Sequence, residues 1–90
     1  MMKIVKIGAI WCGGCLVMNK VWNRLKKEYS FEFVELDYDM DEEEVQRYNP
    51  GNILPVLLFF KDNHEVLRLQ GEYSYDEIIQ KMNEEGVLND

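Results

Sequence analysis

Hydrophobic and polar residues change rhythm repeatedly along this chain, and each rhythm predicts an element. Lys3 to Ala9 is a short β-rich run carrying Ile4, Val5 and Ile7, and it predicts a strand. From Gly13 to Tyr29 the apolar positions fall at Cys15, Met18, Trp22, Leu25 and Tyr29. Steps of three and four describe one face of a helix. Lys20, Arg24, Lys26 and Lys27 lie toward the other side and the C-terminal end, where cations suit the helix dipole. Phe31 to Tyr38 predicts a second strand. Asp41, with Glu44 three residues on, predicts a capping box that opens a short helix. Asn49-Pro50-Gly51 ends it.

Val56 to Lys61 is almost wholly apolar and reads as a buried strand. Asp62-Asn63 makes a tight turn. Glu65 to Gln70 alternates polar with apolar residues, as an outer strand should, and Gly71 breaks the alternation. Ser74 and Glu77 predict a second capping box, with Tyr73 and Ile78 at the staple positions. Ile78, Ile79 and Met82 then face inward, and Gly86 closes this last helix. The predicted order is β-α-β-α-β-β-α. Its first βαβ unit requires parallel strands and a right-handed crossover. The two-residue turn requires an antiparallel hairpin. Together they predict an α/β fold, one four-stranded mixed sheet with helices on both faces.

Composition narrows the class. Ninety residues, 47% of them apolar, make a single domain over 1–90 with a small core. A net charge of −7 argues against nucleic acid, whose phosphates would repel it. Solubility is the plain use of that acidity, and steering toward a basic partner is the other. The opening Met1-Met2-Lys3-Ile4-Val5-Lys6-Ile7 is too short and charged for a signal peptide. No apolar run approaches the roughly 20 residues of a membrane span. A cytoplasmic monomer is the expectation.

The chemistry concentrates in Trp11-Cys12-Gly13-Gly14-Cys15, which holds the only two cysteines. In a reducing compartment this spacing reads as redox or metal chemistry. Zinc wants four ligands, and two cysteines with His64 fall short, so no metal or other cofactor is expected beyond a redox-active Cys12–Cys15 disulfide. Cys12 falls at a helix N terminus, where unpaired N–H groups and the dipole favour a thiolate. Cys15 lies one turn in, within bonding reach and less exposed. Cys12 would attack a substrate disulfide, and Cys15 would then resolve the mixed disulfide.

The motif at the first strand–helix junction, together with the element order, resembles the thioredoxin superfamily over nearly the whole chain. Trp11-Cys12-Gly13-Gly14-Cys15 is similar to the family's Trp-Cys-Gly-Pro-Cys. Ile53-Leu54-Pro55 resembles its segment with a cis proline, Phe59-Phe60-Lys61-Asp62-Asn63 its Phe-Lys-Asn-Gly hairpin, and Gly71 the glycine beside its active site. The resemblance implies a thiol-disulfide oxidoreductase reducing protein disulfides, with a thioredoxin-reductase-like electron donor. It implies that Leu54, before Pro55, pairs through its backbone with an extended substrate, and that Ile10, Trp11, Leu54 and Gly71 form a flat contact surface.

Two departures stand out. Gly14 replaces the family's proline. Lys6 holds the place of a buried aspartate beneath the second cysteine, and Glu35 that of a nearby lysine, so the two charges look exchanged. Strand parity puts Lys6 on the face of Ile4 and Glu35 on that of Phe31 and Phe33, both at least partly buried and paired. Glu35 is then the candidate to accept a proton from Cys15. The alternatives are a glutaredoxin-like enzyme using glutathione, a redox-gated adaptor, or a dimer holding an iron–sulfur cluster on four thiolates.

Overall fold

The computed structural model describes residues 2–87. The elements are β1 (Met2–Gly8), α1 (Gly13–Glu28), β2 (Glu32–Asp37), α2 (Glu42–Arg47), β3 (Val56–Lys61), β4 (His64–Gln70) and α3 (Tyr75–Glu84). The four strands form one sheet in the order β2-β1-β3-β4. β1 runs parallel to β2 and antiparallel to β3, and β3 pairs antiparallel with β4. This is the α/β, mixed-sheet architecture that the residue pattern predicts.

Side-chain alternation splits the core into two layers. On one face Ile4, Leu57 and Phe59 meet Met18, Trp22 and Leu25 of α1 and Ile78 and Met82 of α3. On the other, Val5, Ile7, Val56 and Leu58 meet Val45, the buried residue of the short α2. Each such side chain, fully buried, contributes about 1.5–3 kcal/mol. The central pair β1–β3 is therefore covered on both faces, while β2 lies at an edge.

Local chemistry sets the boundaries. Asp62 and Asn63 take φ of 51° and 71°, the left-handed pair a two-residue hairpin requires. Ser74 accepts from the Glu77 N–H at 3.1 Å, and Glu77 accepts from the Ser74 N–H at 2.9 Å, so this capping box forms. The box expected at Asp41 does not. Asp41 caps α2 without a side-chain bond into the helix, because its carboxylate reaches back to the Asp37 N–H at 2.8 Å. That bond closes the strand-to-helix turn instead. Asp37 in turn accepts from the N–H groups of Asp39 and Met40.

The segment between α2 and β3 is tied down from the side. Arg68 of β4 donates to the Tyr48 and Asn49 carbonyls at 2.7 and 2.8 Å. Gln70 donates to the Pro50 carbonyl at 3.1 Å. These bonds satisfy carbonyls past the end of α2 and fix the approach to Ile53-Leu54-Pro55.

Candidate active site

The N terminus of α1 builds the site. Cys12 is its N-cap, with extended φ and ψ of −95° and 110°, and its sulfur accepts from the Cys15 N–H at 3.3 Å. The cap is thus made by the thiol in place of the usual hydroxyl or carboxylate. That contact satisfies one of the N–H groups a helix start leaves without an intrahelical partner. Both cysteines are free thiols. Cys12 was expected to be the exposed one, but the residues are covered alike, at 8% and 7% exposure. Exposure at the motif belongs to its neighbours Trp11 and Gly13.

Beneath Cys15 lies the end of β1. A Cβ added at Gly8 would meet the Cys15 sulfur at 3.2 Å, so the absence of a side chain at Gly8 admits that sulfur. Burial pushes the Cys15 thiol up from 9.0 to about 11; the Cys12 sulfur adds to the rise, while the Ala9 backbone and the Lys6 ammonium oppose it.

Lys6 is a buried charged residue at 8% exposure. Its Nζ lies 2.9 Å from Asn19 Oδ1, 3.4 Å from Glu35 Oε1 and 5.3 Å from the Trp22 ring centre. The expected Lys6–Glu35 pair is present, and the two residues are partners in the β1–β2 register. Glu35, however, is not buried: its side chain is 55% exposed, because edge strand β2 leaves it open to water. A cavity of about 350 Å³ joins this pair to the motif, lined by Lys6, Gly8, Cys15, Asn19 and Glu35 among others.

On the other side of the motif, the Leu54–Pro55 peptide bond is cis, and the Gly71 N–H donates to the Pro55 carbonyl at 2.8 Å. Gly71 has φ of 96°, a conformation that glycine adopts without strain. Leu54 is half-buried, whereas Ile10 and Trp11 are open to solvent. Trp11 is held rather than loose. Its Nε1 donates to Asp39 Oδ2 at 2.6 Å, and its ring meets Tyr38 edge-on at 6.1 Å. Sequence reading missed Gly8, Asn19 and Asp39. Of these only Asn19 carried a signal, four residues after Cys15 on the same helix face.

The chain matches the family model described as Thioredoxin over residues 2–84. It belongs to the thioredoxin family. Among similar proteins is Thioredoxin Asp f 29 of Aspergillus fumigatus, 34% identical over 71 residues, covering 76% of this chain and 64% of that protein. Another is a peptide-N(4)-(N-acetyl-beta-glucosaminyl)asparagine amidase of Caenorhabditis briggsae, 32% identical over 69 residues, of which the match spans only 11%. The chain therefore covers about a tenth of that larger relative. In structure it is similar to the reduced thioredoxin pre-protein of Schistosoma mansoni, with a TM-score of 0.80 and 25% identity over 92% of this chain and 77% of that one. Among the described residues no group of three or more His, Cys, Asp or Glu is placed to hold a metal. No helix among them is long and apolar enough to cross a membrane.

Proposed function

We propose that this thioredoxin-family chain is a thiol-disulfide oxidoreductase that reduces disulfides in proteins. The observation that carries this reading is the Cys12 sulfur at the α1 N terminus, receiving the Cys15 N–H, with the second thiol one turn away. The Cys12 thiolate attacks one sulfur of a substrate disulfide. An S–S bond to Cys12 forms, the substrate bond breaks, and the other substrate sulfur leaves as thiolate. Cys15 loses its proton and attacks Cys12, expelling the second substrate thiolate. Two electrons pass to the substrate, and a Cys12–Cys15 disulfide remains.

Ile10, Trp11, Leu54, Pro55 and Gly71 form the substrate surface in this reading, with the Leu54 backbone pairing with an extended segment. Glu35 accepts the Cys15 proton and Lys6 steadies the thiolate that results. Support comes from their shared cavity and the 3.4 Å contact between their charged groups. A reductant of this kind acts as a monomer in a reducing, cytosolic setting and takes electrons from a flavin-dependent reductase.

Reduction potential and intermediate trapping test the proposal. Cys15→Ser should accumulate a mixed disulfide through Cys12, and Cys12→Ser should form none. The couple should equilibrate near or below the cytosolic glutathione poise, roughly −220 to −320 mV. Absence of a reversible two-electron couple would overturn the reading.

A further inference from the structure

The surface around Cys12 combines two features that catalysis does not require together. One is apolar. Ile10, Trp11, Met40 and Ile53 are 87%, 63%, 81% and 56% exposed, all large side chains left in water beside the motif. Scattered exposed apolar residues need no explanation, but four gathered at one reactive sulfur form a contact face. The Trp11–Asp39 bond brings Met40 to the Trp11 side, and on the other a Cβ added at Gly71 would stand 3.8 Å from Ile53 Cγ2.

The second feature is the sign of the charge bordering that face. Asp39, Glu42, Glu43 and Glu44 follow one another at the end of β2 and the start of α2, all exposed. The register pairing of Gly8 with Asp37 and the Tyr38 N–H to Gly8 carbonyl bond of 2.7 Å set this run against the loop leading to Cys12. On the opposite border, exposed Glu72 lies over the motif, with its Cγ 3.0 Å from where a Gly14 Cβ would stand. Most cations lie farther off, although Arg47 closes α2 and Lys20 follows the motif on α1. Lys26 and Lys27 occupy the last turn of α1, the end away from Cys12. Lys3 and Lys61 stand at the end of the β1–β3 pair away from Gly8. Lys6, the cation nearest Cys15, is buried and paired. Carboxylates therefore outnumber cations along the borders of the motif, whereas at the far end Lys3 pairs in register with Glu32.

We propose that the face around Cys12 selects a partner whose disulfide is flanked by apolar residues and by lysine or arginine. This rests on the disulfide-reductase reading and names the substrate class of that site. The apolar face supplies contact area, and the acidic borders steer a basic segment into it and repel anionic ones, small acidic disulfides included.

The test uses three synthetic cystine peptides of equal length and matched apolar content. Their flanks carry lysine, glutamate or neutral glutamine. The protein, pre-reduced, is mixed with each at low and high salt, and kcat/KM or its single-turnover equivalent is read. At about 10 mM salt the lysine peptide should react at least about tenfold faster than the glutamate peptide, and the gap should shrink at about 500 mM as charges are screened. The triple variant E42Q/E43Q/E44Q should narrow the low-salt gap. If that variant folds poorly, the salt dependence of the wild-type protein decides. Equal rates for the charged peptides at low salt, with the neutral one reduced, would overturn the proposal and leave the reductase reading standing. Failure to reduce any of the three would count against the reductase reading itself.

Discussion

Gly8 stands directly beneath Cys15, and a methyl group there would come within 3.2 Å of the Cys15 sulfur. The fold makes room for the Cys15 thiol by omitting a side chain at the end of β1. Gly8→Ala should therefore overpack the site, costing about 1–2 kcal/mol of stability in the reduced protein. It should also displace Cys15 and slow loss of the mixed disulfide. Urea unfolding and quench-flow trapping read the two effects. Unchanged stability together with unchanged resolution would mean that Cys15 has slack the structure does not display.

The same burial makes Cys15 a poor acid, with its thiol pushed from 9.0 to about 11. Between these values the unfolded chain releases the proton and the folded chain keeps it. More protons are then bound in the native state, so stability falls as pH rises. The contribution is whole below about pH 9 and is lost by about pH 11, amounting to about 3 kcal/mol. Denaturant unfolding of the reduced protein at both ends of that window, set beside Cys15→Ala, isolates it. The variant should lack this part of the alkaline slope. Parallel slopes for the two proteins would show that Cys15 does not carry it.

Fold and motif were legible where the requirement is local. Val56–Lys61 is read with its observed bounds because a continuous apolar run needs burial on both faces. Asp62-Asn63 announces its own turn, and Ser74 with Glu77 its own cap. Legibility fails where distant groups compete for a side chain. Asp41 has the spacing of a cap, yet its carboxylate goes to the Asp37 N–H. Glu35 has the parity of a buried residue, yet β2 is an edge and leaves it in water. Gly8 looks like any strand-ending glycine. Its role is a through-space approach to a sulfur seven residues later, which no periodicity encodes.

Lys6 and Glu35 separate by charge and burial, so their substitutions should differ. Lys6→Met keeps a long apolar stem and frees Asn19 and Glu35, both exposed, to bond water. Stability should change by less than about 1 kcal/mol. Cys15 should lose the ammonium that opposes its upward shift, and resolution should slow. Glu35→Gln should leave the ammonium in place and alter the pH profile of resolution across about pH 6 to 9. A profile identical to wild type removes Glu35 as the proton acceptor.

Arg68 acts at a distance from the thiols through the loop it holds. It bonds the Tyr48 and Asn49 carbonyls while paired with Glu65 at 2.8 Å. Arg68→Met should cost about 1–3 kcal/mol, since hydrogen bonds from a charged donor are lost. Because that loop leads to Leu54 and Pro55, KM for a peptide disulfide should rise more than kcat falls. An unchanged KM in a folded variant would mean that the segment past Pro50 is held by other contacts.

Gly14 and Glu72 occupy one another's space. A Cβ at Gly14 would meet Glu72 Cγ at 3.0 Å and Cδ at 3.3 Å, with Pro55 Cδ at 3.4 Å. Gly14→Pro limits the unfolded chain and, where the conformation fits, gains about 0.4–1 kcal/mol. The α1 cap would survive it, because the bond to Cys12 Sγ comes from the Cys15 N–H and not from Gly14. Glu72 stands in the way, however, and must swing off the motif. Gly14→Pro alone should therefore gain little, and Gly14→Pro with Glu72→Ala should gain more than the two single changes combined. A double-mutant cycle in urea measures that surplus. Additive effects within about 0.3 kcal/mol would mean that Glu72 yields freely, and that glycine at this position owes nothing to the carboxylate above it.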